Sequence, residues 1–185
     1  NGNQVNQIVA DAYNHICKTD NFEFVNYTQL TVEEMRVLLD GRNSPEIRKW
    51  MYNPEPIAWE DHVTYIKSLN ARKDCIYWAT FHEGKMIGSQ CLNPYEIVTK
   101  IGYLGKLLFP ESQGKGLGYK YTYEFLRYVF SNGIVNAINS ETKISNERNI
   151  KVNKSLGFVE IGRNQDYVQL TLTKDVFLER FVNIG

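Results

Sequence analysis

The sequence is poor in the residues that build disulfide, metal or membrane proteins. Its 185 residues include only 3 cysteines and 3 histidines. Cys17, Cys75 and Cys91 are odd in number, widely spaced and never in a C-x-x-C pair, so neither a disulfide scaffold nor a zinc ribbon is supported and a reducing cytoplasm is expected. His15, His62 and His82 form no H-x-x-x-H or Cys/His cluster, and no metal is expected. No apolar run approaches the ~18 residues of a membrane span, and no charged start followed by an apolar stretch reads as a signal peptide. A membrane partner is therefore not expected. An excess of one charge is missing as well. Lys plus Arg is 21 and Asp plus Glu is 21, which gives no support for nucleic acid as a partner.

What is present suffices for one core. With 43% hydrophobic and 13% aromatic residues, collagen-like, disordered and coiled-coil classes are excluded. The length fits one domain, since domains run to ~100–200 residues. We place an N-terminal extension at 1–21 and the domain at 22–185. The zero net charge hides a split: Lys100 to Ser155 holds nine basic and four acidic residues, a net of +5 that leaves −5 for the remainder. Such a segment suggests an anion bound locally.

Hydrophobic periodicity predicts a peripheral helix over Gln4 to Ile16 and a first strand over Phe22 to Tyr27. Thr31-Val32-Glu33-Glu34 is a capping box opening a helix that Gly41 is expected to stop. Ser44 is expected to cap a short helix starting at Pro45. Trp59, Val63, Ile66 and Leu69 share one face of a further helix. Cys75 to Phe81 and Met86 to Leu92 read as a hairpin around His82-Glu83-Gly84-Lys85. The second half predicts a strand over Ile101 to Phe109, a helix over Gly116 to Asn132, a strand over Val135 to Ser140 and a helix over Asn146 to Leu156 closed by Gly157. Val159 to Arg163 and Tyr167 to Thr173 complete an antiparallel pair. The order implies an α/β (α+β) sandwich.

The most informative stretch is Leu107-Leu108-Phe109-Pro110-Glu111-Ser112-Gln113-Gly114-Lys115-Gly116-Leu117-Gly118. A strand ends in a glycine-rich loop that opens a helix, which gathers unpaired N–H groups and the positive end of the helix dipole at one point. Glycines let a diphosphate approach the backbone. Neither G-x-x-x-x-G-K-[ST] nor G-x-G-x-x-G is matched.

Gln113-Gly114-Lys115-Gly116-Leu117-Gly118 resembles the Q/R-x-x-G-x-G/A acyl-CoA motif of the GCN5-related N-acetyltransferase superfamily. Asn146 to Phe158, ending in Leu156-Gly157-Phe158, resembles the second motif of that family. The resemblance covers roughly Phe22 to Thr173. It implies a mixed, mostly antiparallel sheet of about seven strands splayed at a central parallel pair, with helices on both faces, and acetyl-CoA as co-substrate. It further implies that Leu108, Phe109, Gln113, Gly114, Lys115, Gly116, Leu117, Gly118, Asn146 and Asn153 meet the cofactor. A backbone N–H near Leu108 or Phe109 would stabilise the tetrahedral oxyanion. Asn146 would bond the cofactor or cap its own helix. Many members carry at Asn153 a Tyr that protonates the departing thiolate; an amide cannot donate that proton, but Asn153 can still hydrogen-bond the sulfur and stays a catalytic candidate beside Tyr103 and His62. His62, Tyr103, Glu141 or a water chain is left to take the ammonium proton.

Arg42-Asn43-Ser44-Pro45-Glu46-Ile47-Arg48-Lys49-Trp50-Met51-Tyr52, with His62 ten residues on, resembles the nucleotide-sugar N-acetyltransferases of the pseudaminic acid pathway, which acetylate a 4-amino group on a UDP-linked sugar. Carried over, the nucleotide contacts are Arg42, Asn43, Met51, Tyr52 and His62, a guanidinium gripping the diphosphate and aromatic and thioether groups packing on the base. Two alternatives stand beside this reading: an N-acetyltransferase of protein N-termini or ribosomal proteins, and a non-catalytic acyl-CoA-binding module. Oligomeric state is left open, a homodimer being one option.

Overall fold

The computed structural model describes residues 16–181. Their strands are β1 (Ile16–Lys18), β2 (Phe22–Asn26), β3 (Ile76–His82), β4 (Lys85–Glu96), β5 (Ile101–Leu108), β6 (Ala137–Lys143), β7 (Val159–Arg163) and β8 (Tyr167–Thr173). The helices are α1 (Val32–Arg42), α2 (Pro45–Arg48), α3 (Trp59–Ser68), α4 (Leu117–Ser131), α5 (Glu147–Ser155) and α6 (Lys174–Phe181). The strands form one sheet in the order β1-β2-β3-β4-β5-β6-β8-β7. Every pairing is antiparallel except β5 with β6.

Strand alternation sends side chains to two cores. Ile76 and Trp78 of β3 join Phe24, Phe125, Phe130 and Phe177 on the face covered by α4 and α6. Cys75 and Ala79 join Leu38, Ile66 and Phe109 on the face covered by α1 and α3. Helices thus cover both faces, as expected. The sheet has eight described strands rather than about seven. The added one, β1, pairs with β2 through Ile16↔Val25 to Lys18↔Glu23, and this pairing is not encoded in local periodicity. The helix expected over Gln4 to Ile16 lies outside the described residues except for Ile16, which is in β1.

Local chemistry accounts for most boundaries. Thr31 Oγ1 accepts from the Glu34 N–H at 3.1 Å and the Glu34 carboxylate accepts from the Thr31 N–H at 2.9 Å, completing the capping box. The hairpin between β3 and β4 turns on Glu83 and Gly84, both at positive φ. Three expectations are corrected. Gly41 does not stop α1, which runs through Arg42; a Cβ at Gly41 would lie 2.2 Å from the Phe109 ring, so this glycine makes room for a core aromatic. Ser44 gives α2 no side-chain cap and donates instead to the Gly41 carbonyl at 2.8 Å. Strand β6 starts at Ala137 rather than Val135, because Val135 is fully buried in the connection from α4, its N–H bonded to the Val129 carbonyl.

Candidate active site

Strands β5 and β6 pair only at Ile101↔Ala137, Gly102↔Ile138 and Tyr103↔Asn139. Beyond that point β5 stays with β4 as far as Leu108, while β6 stays with β8 as far as Lys143. The two therefore diverge, and a gap opens with backbone groups on its walls. The Phe109 N–H is committed to the Ile87 carbonyl at 2.7 Å. Because successive backbone groups point to opposite sides of a strand, the Leu108 N–H faces the gap. Of the two candidate oxyanion donors, Leu108 is the one free of the sheet on that side. Its carbonyl accepts from Gln113 Nε2 at 2.8 Å, so the motif glutamine braces the strand end.

At the mouth of the gap, Gly114 and Gly116 adopt φ of +77° and +73°, the left-handed region that glycine enters without strain. Gly116 caps α4 without any side-chain bond, and the first turn of this 15-residue helix holds no acidic residue. The leading N–H groups and the positive helix end thus meet no internal anion. A Cβ built at Gly114, Gly116 or Gly118 would find nothing within 4 Å, so the face above the loop has room for a diphosphate. Lys115 is exposed on it. Leu117 packs into the core and anchors the first turn.

Beside the gap, on the sheet face that α4 covers, the structure brings together residues from four elements. Asn153 of α5 is fully buried. Its Nδ2 donates to Ser140 Oγ of β6 at 3.3 Å, and its Oδ1 accepts from Lys106 Nζ of β5 at 2.7 Å. Lys106 Nζ also donates to Thr122 Oγ1 of α4 at 3.2 Å. Burial pulls the Lys106 ammonium down to about 7. Motif reading passes over Lys106, although it follows Gly102 and Leu104 at the inward period of β5, where a lysine is out of place. Asn146 caps α5, its Oδ1 accepting from the Asn149 N–H at 3.3 Å.

The acceptor-side candidates divide differently. Asn43 spends its amide on the backbone of Ile57, donating to the carbonyl at 2.9 Å and accepting from the N–H at 2.8 Å. This folds the α2–α3 connection back onto α1. Arg48 holds the same segment through the Asn43 and Pro54 carbonyls. Its middle reaches β6: Lys143 Nζ donates to the Lys49 and Met51 carbonyls, and the Tyr52 hydroxyl donates to Glu141 Oε1 at 2.9 Å. Gln169 donates to the other Glu141 oxygen, and the Tyr52 ring lies 5.4 Å from that of Tyr167. Partial burial first, and Glu141 second, push the Tyr52 hydroxyl up to about 12, so it stays a donor. Arg42 reaches only the Asn53 carbonyl, at 3.5 Å, and its Nη1 is buried without a partner. Burial lowers its pKa from the ordinary value, opposed by nearby Tyr27.

His62 is not part of this cluster. It is buried between α3 and α1, donating Nε2–H to the Met35 carbonyl at 2.9 Å, and burial lowers its pKa. Tyr103 is 40% exposed on β5, in register with Asn139 and on the strand face opposite Lys106. Among the described residues no group of three or more His, Cys, Asp or Glu side chains is placed to hold a metal ion. No described helix is long and apolar enough to cross a membrane.

A parallel pair that splays over a strand amide, with a glycine loop and an uncapped helix at its mouth, defines an N-acetyltransferase. The chain belongs to the acetyltransferase (GNAT) domain family, whose model matches residues 25–159. It is 25% identical to the acetyltransferase PseH of Campylobacter jejuni (strain 81-176) over 147 residues, 80% of this chain and 90% of that protein. Its fold is that of the C. jejuni N-acetyltransferase PseH in complex with acetyl coenzyme A, at TM-score 0.67 and 21% identity, covering 82% of this chain and 98% of the other. It is also that of the Vibrio cholerae spermidine N-acetyltransferase in complex with CoA and spermine, at TM-score 0.75 and 17% identity, with 86% and 99% covered.

Proposed function

We propose that this N-acetyltransferase moves the acetyl group of acetyl-CoA directly to a primary amine on a nucleotide-linked amino sugar of the UDP-4-amino type. Acetyl-CoA supplies an activated thioester carbonyl. The rest of the chemistry belongs to the chain. The glycine loop and the α4 N-terminus hold the diphosphate, with Lys115 able to add charge. Leu108 N–H polarises the carbonyl oxygen inside the gap. Glu141, carried by β6 to the end where the acceptor segment docks, receives the proton that the attacking nitrogen loses.

The observation that carries the acceptor reading is Arg42. A buried guanidinium nitrogen with no partner is costly unless an anion completes it. Arg42 stands at the root of the segment that puts exposed Tyr52 beside Glu141. A sugar diphosphate fits that demand; a polyamine does not. In this reading Asn43 and Met51 shape the segment, Tyr52 packs on the nucleotide and His62 fixes α3 against α1. The three free cysteines and the need for acetyl-CoA support a cytoplasmic site of action. A free-thiol release assay across UDP-linked 4-amino sugars, peptides and polyamines tests the proposal. Turnover of a UDP-linked amino sugar is expected, and turnover confined to peptides or polyamines would overturn it.

A further inference from the structure

Lys106 carries a charge that no counter-ion answers. Its ammonium is held by Asn153 Oδ1 at 2.7 Å and Thr122 Oγ1 at 3.2 Å, both neutral acceptors. Gln90 of β4 stands directly across from it, and Ser140 of β6 lies behind Asn153. None of these groups ionises. Tyr121, whose hydroxyl meets Thr122, is pushed far up by burial. Among the described residues no carboxylate pairs with Lys106 or contributes to its shift. Lys106 is half-buried as a residue, and protein surrounds its ammonium densely.

The position gives the charge a use. Ser140 and Thr142 alternate with Glu141 along β6, so the Lys106–Asn153–Ser140 chain and the Tyr52–Glu141 contact lie on opposite faces of that strand. The segment proposed to take the acceptor docks on the Glu141 side. Lys106 lies on the other face of the sheet, one hydrogen bond from the residue that stands where the family resemblance expects a tyrosine acid.

We propose that Lys106 is the proton donor to the departing sulfur, with Asn153 and Thr122 as the residues that position it. As the C–N bond forms and the C–S bond breaks, the sulfur leaves with the electron pair and Lys106 Nζ delivers one proton to it, giving the free thiol. The attacking nitrogen loses one proton to Glu141, which passes it to solvent. Lys106, now a neutral amine, regains a proton from water before the next turnover. Protons balance, and no further reactant is required. The inference rests on acetyl transfer within the β5/β6 gap and not on the identity of the sugar.

Two measurements decide it. The first needs neither acceptor nor variant: NMR titration of the unliganded protein with lysines labelled at 13Cε. One lysine should titrate near pH 7 while the exposed ones titrate near ~10.4, and a set with no member below pH 9 overturns the proposal. The second is the pH dependence of kcat in Lys106→Arg and Lys106→Met, with the UDP-linked amino sugar or, should it not turn over, the best amine of the acceptor screen. Donor protonation is lost as pH rises through about 7, so wild-type kcat should carry a falling limb there. Both variants should lose about 100-fold or more in kcat and also lose that limb, with the acetyl-CoA thermal shift unchanged. Arginine keeps the charge and the hydrogen bonds. Wild-type kcat in Lys106→Arg, or a defect confined to acetyl-CoA binding, would make Lys106 structural only and overturn the proposal.

Discussion

The two sides of the gap are built from different materials. The donor side is main chain: the Leu108 N–H, the positive-φ glycines and the uncapped start of α4. The acceptor side is side chain: Asn43 and Arg48 spend their polar atoms tying residues 42–57 together, and Tyr52 and Lys143 tie that segment to β6. A backbone cradle binds whatever anion fits its shape and tolerates change in most side chains. A side-chain scaffold is specific but fragile, because each tie removed frees a stretch of loop. In the proposed reading, acceptor selectivity resides in residues 42–57.

Substitutions confined to one side should break or sharpen that contrast. The largest effect is expected from Gly116→Trp, which forces a bulky residue into the left-handed region and over the anion site. The acetyl-CoA thermal shift should vanish while circular dichroism shows a folded chain; normal acetyl-CoA affinity would mean that the diphosphate sits elsewhere. Next is the stability of Lys106→Met against wild type. A lysine whose pKa falls from 10.5 to about 7 on folding binds its proton more tightly when unfolded. Its burial therefore costs stability fully below pH 7, and the cost fades as pH rises toward 10.5. Lys106→Met should be more stable than wild type at pH 6 by about a few kcal/mol, with the difference shrinking by pH 9.5 in urea denaturation. A pH-independent difference would place the charge in solvent.

Arg42→Ala should raise the acceptor KM by about 10–100-fold, the loss of a charged hydrogen bond of about 1.5–3 kcal/mol, and leave acetyl-CoA binding intact. A defect only on the acetyl-CoA side would reject the division between the two halves. The smallest effect is expected from Tyr52→Phe. Losing one exposed bond to Glu141 should cost about 1 kcal/mol or less, seen as a few-fold change in acceptor kinetics with none in the acetyl-CoA thermal shift.

The same contrast decides what sequence reading reaches. The donor loop, the Thr31 capping box and the Asn146 cap are legible because each is encoded within a few consecutive residues. β1, the Gly41–Phe109 packing and the Tyr52–Glu141 bond join residues far apart in the chain, and periodicity has no record of them. Charge counting misleads in one respect. Of the basic residues in the +5 segment, Lys106 bonds Asn153 and Thr122 and Lys143 bonds two loop carbonyls. Lys154 faces Glu160 at 3.6 Å. These three lysines are spent on internal contacts, so the segment's charge count overstates what it has free for an anion. Lys106 is the instructive miss: a lysine at the inward period of a strand marks a buried charge, and only the fold reveals that its partners are neutral.

Amide hydrogen exchange of the unliganded protein and of its complex with acetyl-CoA tests the central claim most directly. Strong protection by acetyl-CoA is expected at Leu108 and across Gly114 to Tyr119, with little change over residues 42–57. Unchanged exchange at Leu108 and in the glycine loop, with protection appearing in the 42–57 segment instead, would contradict it.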